Sequence, residues 1–226
     1  MAPQPISLTI AEGQSVSGLW QTPPQPGACL VLAHGAGAGM SHRSMAALAD
    51  GLEARGVATL RYQFPYMEWG AKRVDPPAIA HAVVRKAVAE AGRRAGPAAL
   101  FAGGRSFGGR MTSQAQALKP LEGVRGLVFF AFPLHTAGKP SDERAAHLSQ
   151  ITVPMLFVQG RKDPLAEPGL LRRTVAGLAG RATLQLIGEA DHAFHVPAKS
   201  GRTDAEVLAT VLDAAADWMA AHERRQ

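Results

Sequence analysis

The sequence predicts an α/β protein built on a doubly wound, mostly parallel sheet, with an antiparallel hairpin at its N-terminus and little or no lid. Three observations carry this prediction. Six short apolar runs follow one another after residue 28, most of them succeeded by a stretch of helical periodicity. Glycine and proline punctuate the boundaries between them. The run Leu127–Phe132 is apolar throughout, as expected of a strand covered on both faces. With 226 residues, 46% of them hydrophobic, the chain can fill one sizeable core, and a single domain over residues 1–226 is expected.

The elements follow in order. Ile6–Ala11 and Val16–Gln21, separated by Glu12-Gly13-Gln14, read as the hairpin, and Pro23-Pro24-Gln25-Pro26 closes it. Cys29–Ala33 is the first parallel strand. Ser41–Arg55 is a helix with Met45, Leu48 and Leu52 on one face and Gly56 as its stop. Val57–Tyr62 is the next strand. Asp75 before Pro76-Pro77 marks a helix start, with Ile79, Val83, Val84, Ala87 and Val88 as the apolar face. Ala98–Ala102 is a strand running into Gly103-Gly104, and Phe107–Leu118 is the helix beyond it, ended by Pro120. Leu127–Phe132, Met155–Gln159 and Thr183–Ile187 complete the sheet, with a helix at Gly169–Leu178. Thr203-x-x-Glu206 is a capping box opening the last helix. The stretch His135–Thr152 shows no periodicity and is long enough to carry a small cap.

Composition excludes several classes of function. The single cysteine, Cys29, permits neither an intrachain disulfide nor a cysteine-built zinc site and reads as a small buried residue. No apolar run is long enough to span a bilayer, and Met1 to Glu12 has no signal-peptide pattern, so a cytoplasmic protein with no membrane partner is expected. The net charge of +6 raises the question of nucleic acid. The basic pairs Arg93-Arg94, Arg172-Arg173 and Arg224-Arg225 are isolated, however, and no aromatic-basic interleaving occurs, so solvated helix faces are expected and no nucleic-acid partner.

The chemistry-bearing pattern is Gly104-Arg105-Ser106-Phe107-Gly108, a G-x-S-x-G at a strand-to-helix junction. Such a turn holds the serine at a strained backbone angle and lifts its hydroxyl above the C-terminal edge of the sheet. A hydroxyl needs a base to become a nucleophile. His192 directly follows the strand Thr183–Ile187, and Asp163, in Gly160-Arg161-Lys162-Asp163-Pro164, directly follows Met155–Gln159. Ser106, Asp163 and His192 therefore stand in the order nucleophile, acid, base, each at a strand's C-terminal end. His195 is a competing base, and Asp191 reads as a turn residue. The oxyanion donors expected are the backbone N–H groups of Phe107 and of Ala36, with Gly37 next, the latter two from the loop His34-Gly35-Ala36-Gly37-Ala38-Gly39. His34 is expected to brace that loop. The loop also distantly suggests a dinucleotide fingerprint, but Met40 breaks the spacing and no ribose-binding carboxylate follows Arg61-Tyr62. No cofactor and no metal are expected.

Around this centre, Gly35, Met40, Phe64, Tyr66, Arg105 and His135 are candidate pocket residues, with Met67 and Trp69 in the same aromatic stretch. Arg105, Arg61, Arg73 and Arg110 form a possible guanidinium cluster that would favour a carboxylate-bearing substrate. His42 is a further loop histidine.

These motifs together resemble those of small α/β-hydrolase-like proteins related to vertebrate testis-expressed protein 30 and to the third regulatory subunit of the NSL chromatin complex. The residues that carry the resemblance are His34 to Met40, Arg61 to Glu68, Gly103 to Arg110, Pro133-Leu134-His135, Gly138-Lys139-Pro140, Val158 to Asp163 and Ala190 to Phe194. A dienelactone-hydrolase-like group is a more distant cousin whose nucleophile is cysteine where this chain has Ser106. The resemblance implies an α/β-hydrolase fold and serine hydrolase activity. Joined to the residue pattern, it gives an enzyme cleaving a small-molecule ester or thioester through an acyl-enzyme. It names no substrate, and it leaves a non-catalytic interaction module on the same fold as the alternative. Oligomeric state is left open.

Overall fold

A computed structural model of the chain describes residues 2–223, so the pair Arg224-Arg225 lies outside the described residues. Strands β1 (Gln4–Ala11) and β2 (Gln14–Gln21) form the antiparallel hairpin, turning at Glu12-Gly13 where Gly13 takes φ +68°. Strands β3 (Ala28–Ala33), β4 (Val57–Tyr62), β5 (Ala99–Arg105), β6 (Leu127–Phe130), β7 (Met155–Gly160) and β8 (Ala182–Ile187) complete one eight-stranded sheet in the order β1-β2-β4-β3-β5-β6-β7-β8. β2 joins β4 antiparallel, and every pairing from β4 through β8 is parallel.

Helices α1 (Arg43–Glu53) and α6 (Asp204–Ala221) cover one face of the sheet. Helices α3 (Pro77–Arg94), α4 (Phe107–Leu118) and α5 (Pro168–Ala176) cover the other. The short helix α2 (Pro65–Glu68) follows β4. Alternation along β3 shows why its sequence is apolar without a break. Cys29, Val31 and Ala33 enter the core under α3 and α4, while Ala28, Leu30 and Leu32 enter the core under α1 and α6. The capping box at Thr203 and Glu206 is fully formed. Among the described residues no helix is long and apolar enough to cross a membrane.

The structure departs from the sequence expectations locally. Ile79 is exposed, as is the rest of the first turn of α3 before Ala80; Ala80, Val83, Val84, Ala87 and Val88 form the buried face. Asp75 does not cap α3: Pro76 holds that position, and the Asp75 carboxylate accepts the Tyr66 N–H instead (3.1 Å). β5 continues through both glycines to Arg105, and β6 stops at Phe130 because Ala131 turns to φ +55°. Residues 135–152 hold a 3₁₀ helix, Glu143–Gln150, which docks on α4 through buried Ala145 and Leu148 and a bond between His147 Nε2 and Ser113 Oγ (2.7 Å).

Candidate active site

β5 passes into α4 through a single residue, Ser106, at φ +50° and ψ −116°. For a side-chain-bearing residue that conformation costs on the order of 1–3 kcal/mol. The surrounding packing forces it. A Cβ on Gly104 would sit 2.4 Å from the Ala33 carbonyl oxygen, and one on Gly108 would sit 2.5 Å from that of His34. Both obstacles are main chain at the end of β3, so only glycine lets the two arms of the turn press against it. The Ser106 N–H is anchored to the Phe130 carbonyl (3.0 Å), which fixes the turn to β6 as well.

Two loops at the same edge of the sheet bring the partners in. Beyond β7, Asp163 is buried, and its Oδ1 accepts the Leu165 N–H (2.8 Å). Beyond β8, the His192 loop is held by Asp191, whose carboxylate accepts the N–H groups of Ala193 (2.7 Å) and His195 (2.9 Å). Gly160 permits the two loops to touch: a Cβ there would lie 2.3 Å from the Asp191 carbonyl oxygen. The result is a continuous chain of hydrogen bonds. Asp163 Oδ2 is 2.6 Å from His192 Nδ1, and His192 Nε2 is 2.9 Å from Ser106 Oγ. A buried carboxylate only accepts, so Nδ1 carries the proton and Nε2 is left to accept from the serine hydroxyl. His195 pairs with Asp204 (2.9 Å) on the exposed side of its loop, which separates it from this chain.

One participant escaped the sequence reading. Gln159, fully buried in β7, donates through Nε2 to Asp163 Oδ2 (2.5 Å). The only signal was an amide at the end of the otherwise apolar run Met155–Val158, four residues before Asp163.

The loop after β3 lies beside Ser106: a Cβ on Gly35 would be 3.8 Å from the Ser106 Cβ. His34 is buried beneath it, bonding the Gly35 carbonyl through Nδ1 (2.7 Å) and accepting the Phe64 N–H at Nε2 (3.0 Å). Burial pushes its pKa down to about 4, against the opposing effect of the Gly35 bond, so it is a neutral brace. The Tyr66 hydroxyl donates to the carbonyls of Ala36 (2.9 Å) and Gly35 (3.3 Å). In trans peptides the N–H groups of Ala36 and Gly37 then point away from Tyr66. Phe107 opens α4, where first-turn N–H groups have no acceptor within the helix.

Several expected pocket residues turn out to be packing or bracing residues. Phe64 is fully buried, its ring edge-on to His34, Tyr62 and Phe107 at 5.0–5.3 Å. Tyr66 is buried and engaged as described, and Met40 is buried with its N–H on Gln63 (2.9 Å). His135 is buried with both ring nitrogens on main chain, at Thr136 O and the Glu167 N–H (2.9 Å each). Arg61 is buried, donating to Met40 O (3.2 Å) and Gln21 Oε1 (3.0 Å). His42 caps α1. Trp69 and Arg73 are exposed. Arg105 points its guanidinium at the His192 carbonyl (3.4 Å) and lines a cavity of about 480 Å³ with Ala193 and Phe194, behind the histidine loop. Two larger hollows, about 650 and 700 Å³, open at the opposite, N-terminal edge of the strands and have no part in this chemistry. Among the described residues no group of histidine, cysteine or acidic side chains is arranged to hold a metal ion.

A family profile described as an alpha/beta hydrolase domain matches residues 26–220. The chain belongs to the α/β hydrolase family. The fold recurs in solved structures of low sequence identity. A dienelactone hydrolase from Anabaena variabilis is 20% identical, with 99% of this chain and 100% of that one covered and a TM-score of 0.76. An α/β serine hydrolase homologue from Coxiella burnetii is 18% identical over 95% and 98%, with a TM-score of 0.76. An α/β serine hydrolase without a lid from Xanthomonas campestris is 18% identical over 96% and 95%, with a TM-score of 0.73. The α/β hydrolase architecture is thus shared across the full length of these proteins.

Proposed function

We propose that this protein is a serine hydrolase that cleaves a small ester or thioester through an acyl-enzyme. The observation that carries the proposal is the unbroken chain of bonds Ser106–His192–Asp163. Ser106 Oγ attacks the carbonyl carbon as its proton passes to His192 Nε2. Asp163 keeps the imidazole oriented and stabilises its protonated form, and Gln159 holds the carboxylate in place. The oxyanion is received by the N–H groups of Phe107 and Ala36. Collapse of this intermediate expels the alcohol or thiol, which takes the proton from His192. Water, deprotonated by the same imidazole, then releases the acid. Neither step needs a metal or cofactor. Within the family, the motifs from His34 to Phe194 favour kinship with the testis-expressed protein 30 group.

A binding module on the same fold is the competing reading. The strained Ser106 disfavours it, because a binder gains nothing from a costly backbone conformation that only serves to present a hydroxyl. Turnover of 4-nitrophenyl acetate tests the proposal. Ser106→Ala and His192→Ala are expected to lower kcat by about 10³-fold or more. A Ser106→Ala variant working at the wild-type rate would overturn it.

A further inference from the structure

Arg110 is a cation without a counter-ion among the described residues. It lies about one turn of α4 beyond Ser106: its N–H donates to the Ser106 carbonyl (3.1 Å), so its side chain starts about 6 Å along the helix axis from the serine. Its guanidinium carbon stands 5.9 Å from the centre of the Phe107 ring. The side chain is half-buried, and its Nε is enclosed with no acceptor. Among the described residues no carboxylate pairs with it. The charge that acts on it is a second cation, Arg144 of the 3₁₀ helix, which lowers its pKa further after burial has already done so.

Among the described residues Arg144 has no carboxylate partner either; it is aimed by bonds to the His135 carbonyl and to Thr136 Oγ1 (3.0 Å each). The other polar groups nearby are His81, bonded to Gln114 (3.2 Å), and His147, bonded to Ser113. Burial, and then Arg110 and His81, push the His147 pKa down to about 4, so it adds no charge at neutral pH. Two other arginines at this edge are engaged elsewhere, while Arg161, just past β7, is exposed. Arg61 is spent on bracing bonds, and Arg105 faces Asp191 and Asp163. A half-buried guanidinium whose Nε has no acceptor, on a helix against which the Arg144-bearing 3₁₀ helix is docked, and with no anion paired to either arginine among the described residues, is unfavourable unless a ligand brings the negative charge.

We propose that Arg110 and Arg144 form an anion-binding subsite beside Ser106, and that the preferred substrate is an ester or thioester carrying a carboxylate. The proposal rests on the serine hydrolase reading. The planar fork of an arginine matches a carboxylate in two parallel hydrogen bonds, so the subsite orients the substrate as well as attracting it.

The test compares matched ester pairs. Mono-4-nitrophenyl glutarate against 4-nitrophenyl pentanoate places the charge on the acyl side; 4-acetoxybenzoate against phenyl acetate places it on the leaving group. At least one charged ester is expected to exceed its neutral partner tenfold in kcat/KM, chiefly through KM. Arg110→Gln and Arg144→Gln are expected to bring that ratio close to one, and Arg110→Lys to restore part of it. Labelling of each variant by a fluorophosphonate shows that the serine centre has remained intact. Turnover of neutral esters with no charged preference in either pair removes this proposal and leaves the hydrolase reading standing. So does a ratio unchanged in Arg110→Gln. No turnover of any ester and no labelling of the wild type removes both.

Discussion

Gln159→Met separates catalysis from stability. The glutamine is fully buried, donates to Asp163 through Nε2 at 2.5 Å, and leaves its Oε1 without a partner. Methionine keeps the volume and deletes both polar atoms. Losing a hydrogen bond to a charged group costs about 1.5–3 kcal/mol, and removing an orphaned buried acceptor returns about 1–3 kcal/mol. The two nearly cancel, so stability should change by no more than about 1 kcal/mol, or about 2–4 °C in Tm for a chain of this size. Catalysis has no such compensation. Asp163 would be held only by Leu165 and His192, and the imidazole loses part of its fixed orientation as it becomes charged. If the whole bond acts in the transition state, kcat falls by about 10- to 100-fold. Thermal melts and 4-nitrophenyl acetate kinetics on the purified variant measure both quantities. A kcat within twofold of wild type would refute the positioning role. A fall in Tm greater than about 10 °C would refute the cancellation.

Two further outcomes follow from strain and from buried histidine. Ser106→Gly relieves a side-chain-bearing residue at φ +50°. Against the extra backbone freedom of glycine in the unfolded chain, the variant should be more stable by about 1 kcal/mol while losing activity. A denaturation midpoint below that of wild type would contradict this. For pH, His34 has a folded pKa near 4 against an ordinary 6.5. Because the unfolded chain takes up the proton first, the stability from the neutral buried ring is present above pH 6.5. It is lost as pH falls from 6.5 towards 4, by about 3 kcal/mol over the full window, with a smaller addition from half-buried His147. Urea midpoints at pH 7.5, 6.0 and 4.5 should decline in that order; a flat profile would show that His34 is accessible to protons.

The convergence of Ser106, Asp163 and His192 is legible in the sequence because each lies just past the end of an apolar strand run, and parallel topology carries those ends to one edge. Gly104 and Gly108 were legible for a similar reason: a strand-to-helix turn is a local event whose steric demand shows in five residues. Phe64, Tyr66 and His135 follow strands, where the sequence predicts a cleft, yet all three are buried. The direction of such side chains is set by packing across the chain, here Phe64 against Phe107 and His135 against the residues before α5. The 3₁₀ helix Glu143–Gln150 was missed because it buries only Ala145 and Leu148, too few residues to impose a period. Arg110 was named only as one arginine among four. Its lack of an acceptor exists only in three dimensions.

Intact-mass spectrometry after treatment with a fluorophosphonate probe bears most directly on the reaction centre. Wild type should gain the mass of one phosphonyl group, localised by peptide mapping to Ser106, and folded Ser106→Ala should gain none. An unmodified wild type, or an adduct of equal yield in the alanine variant, would contradict the assignment of a nucleophile to that turn.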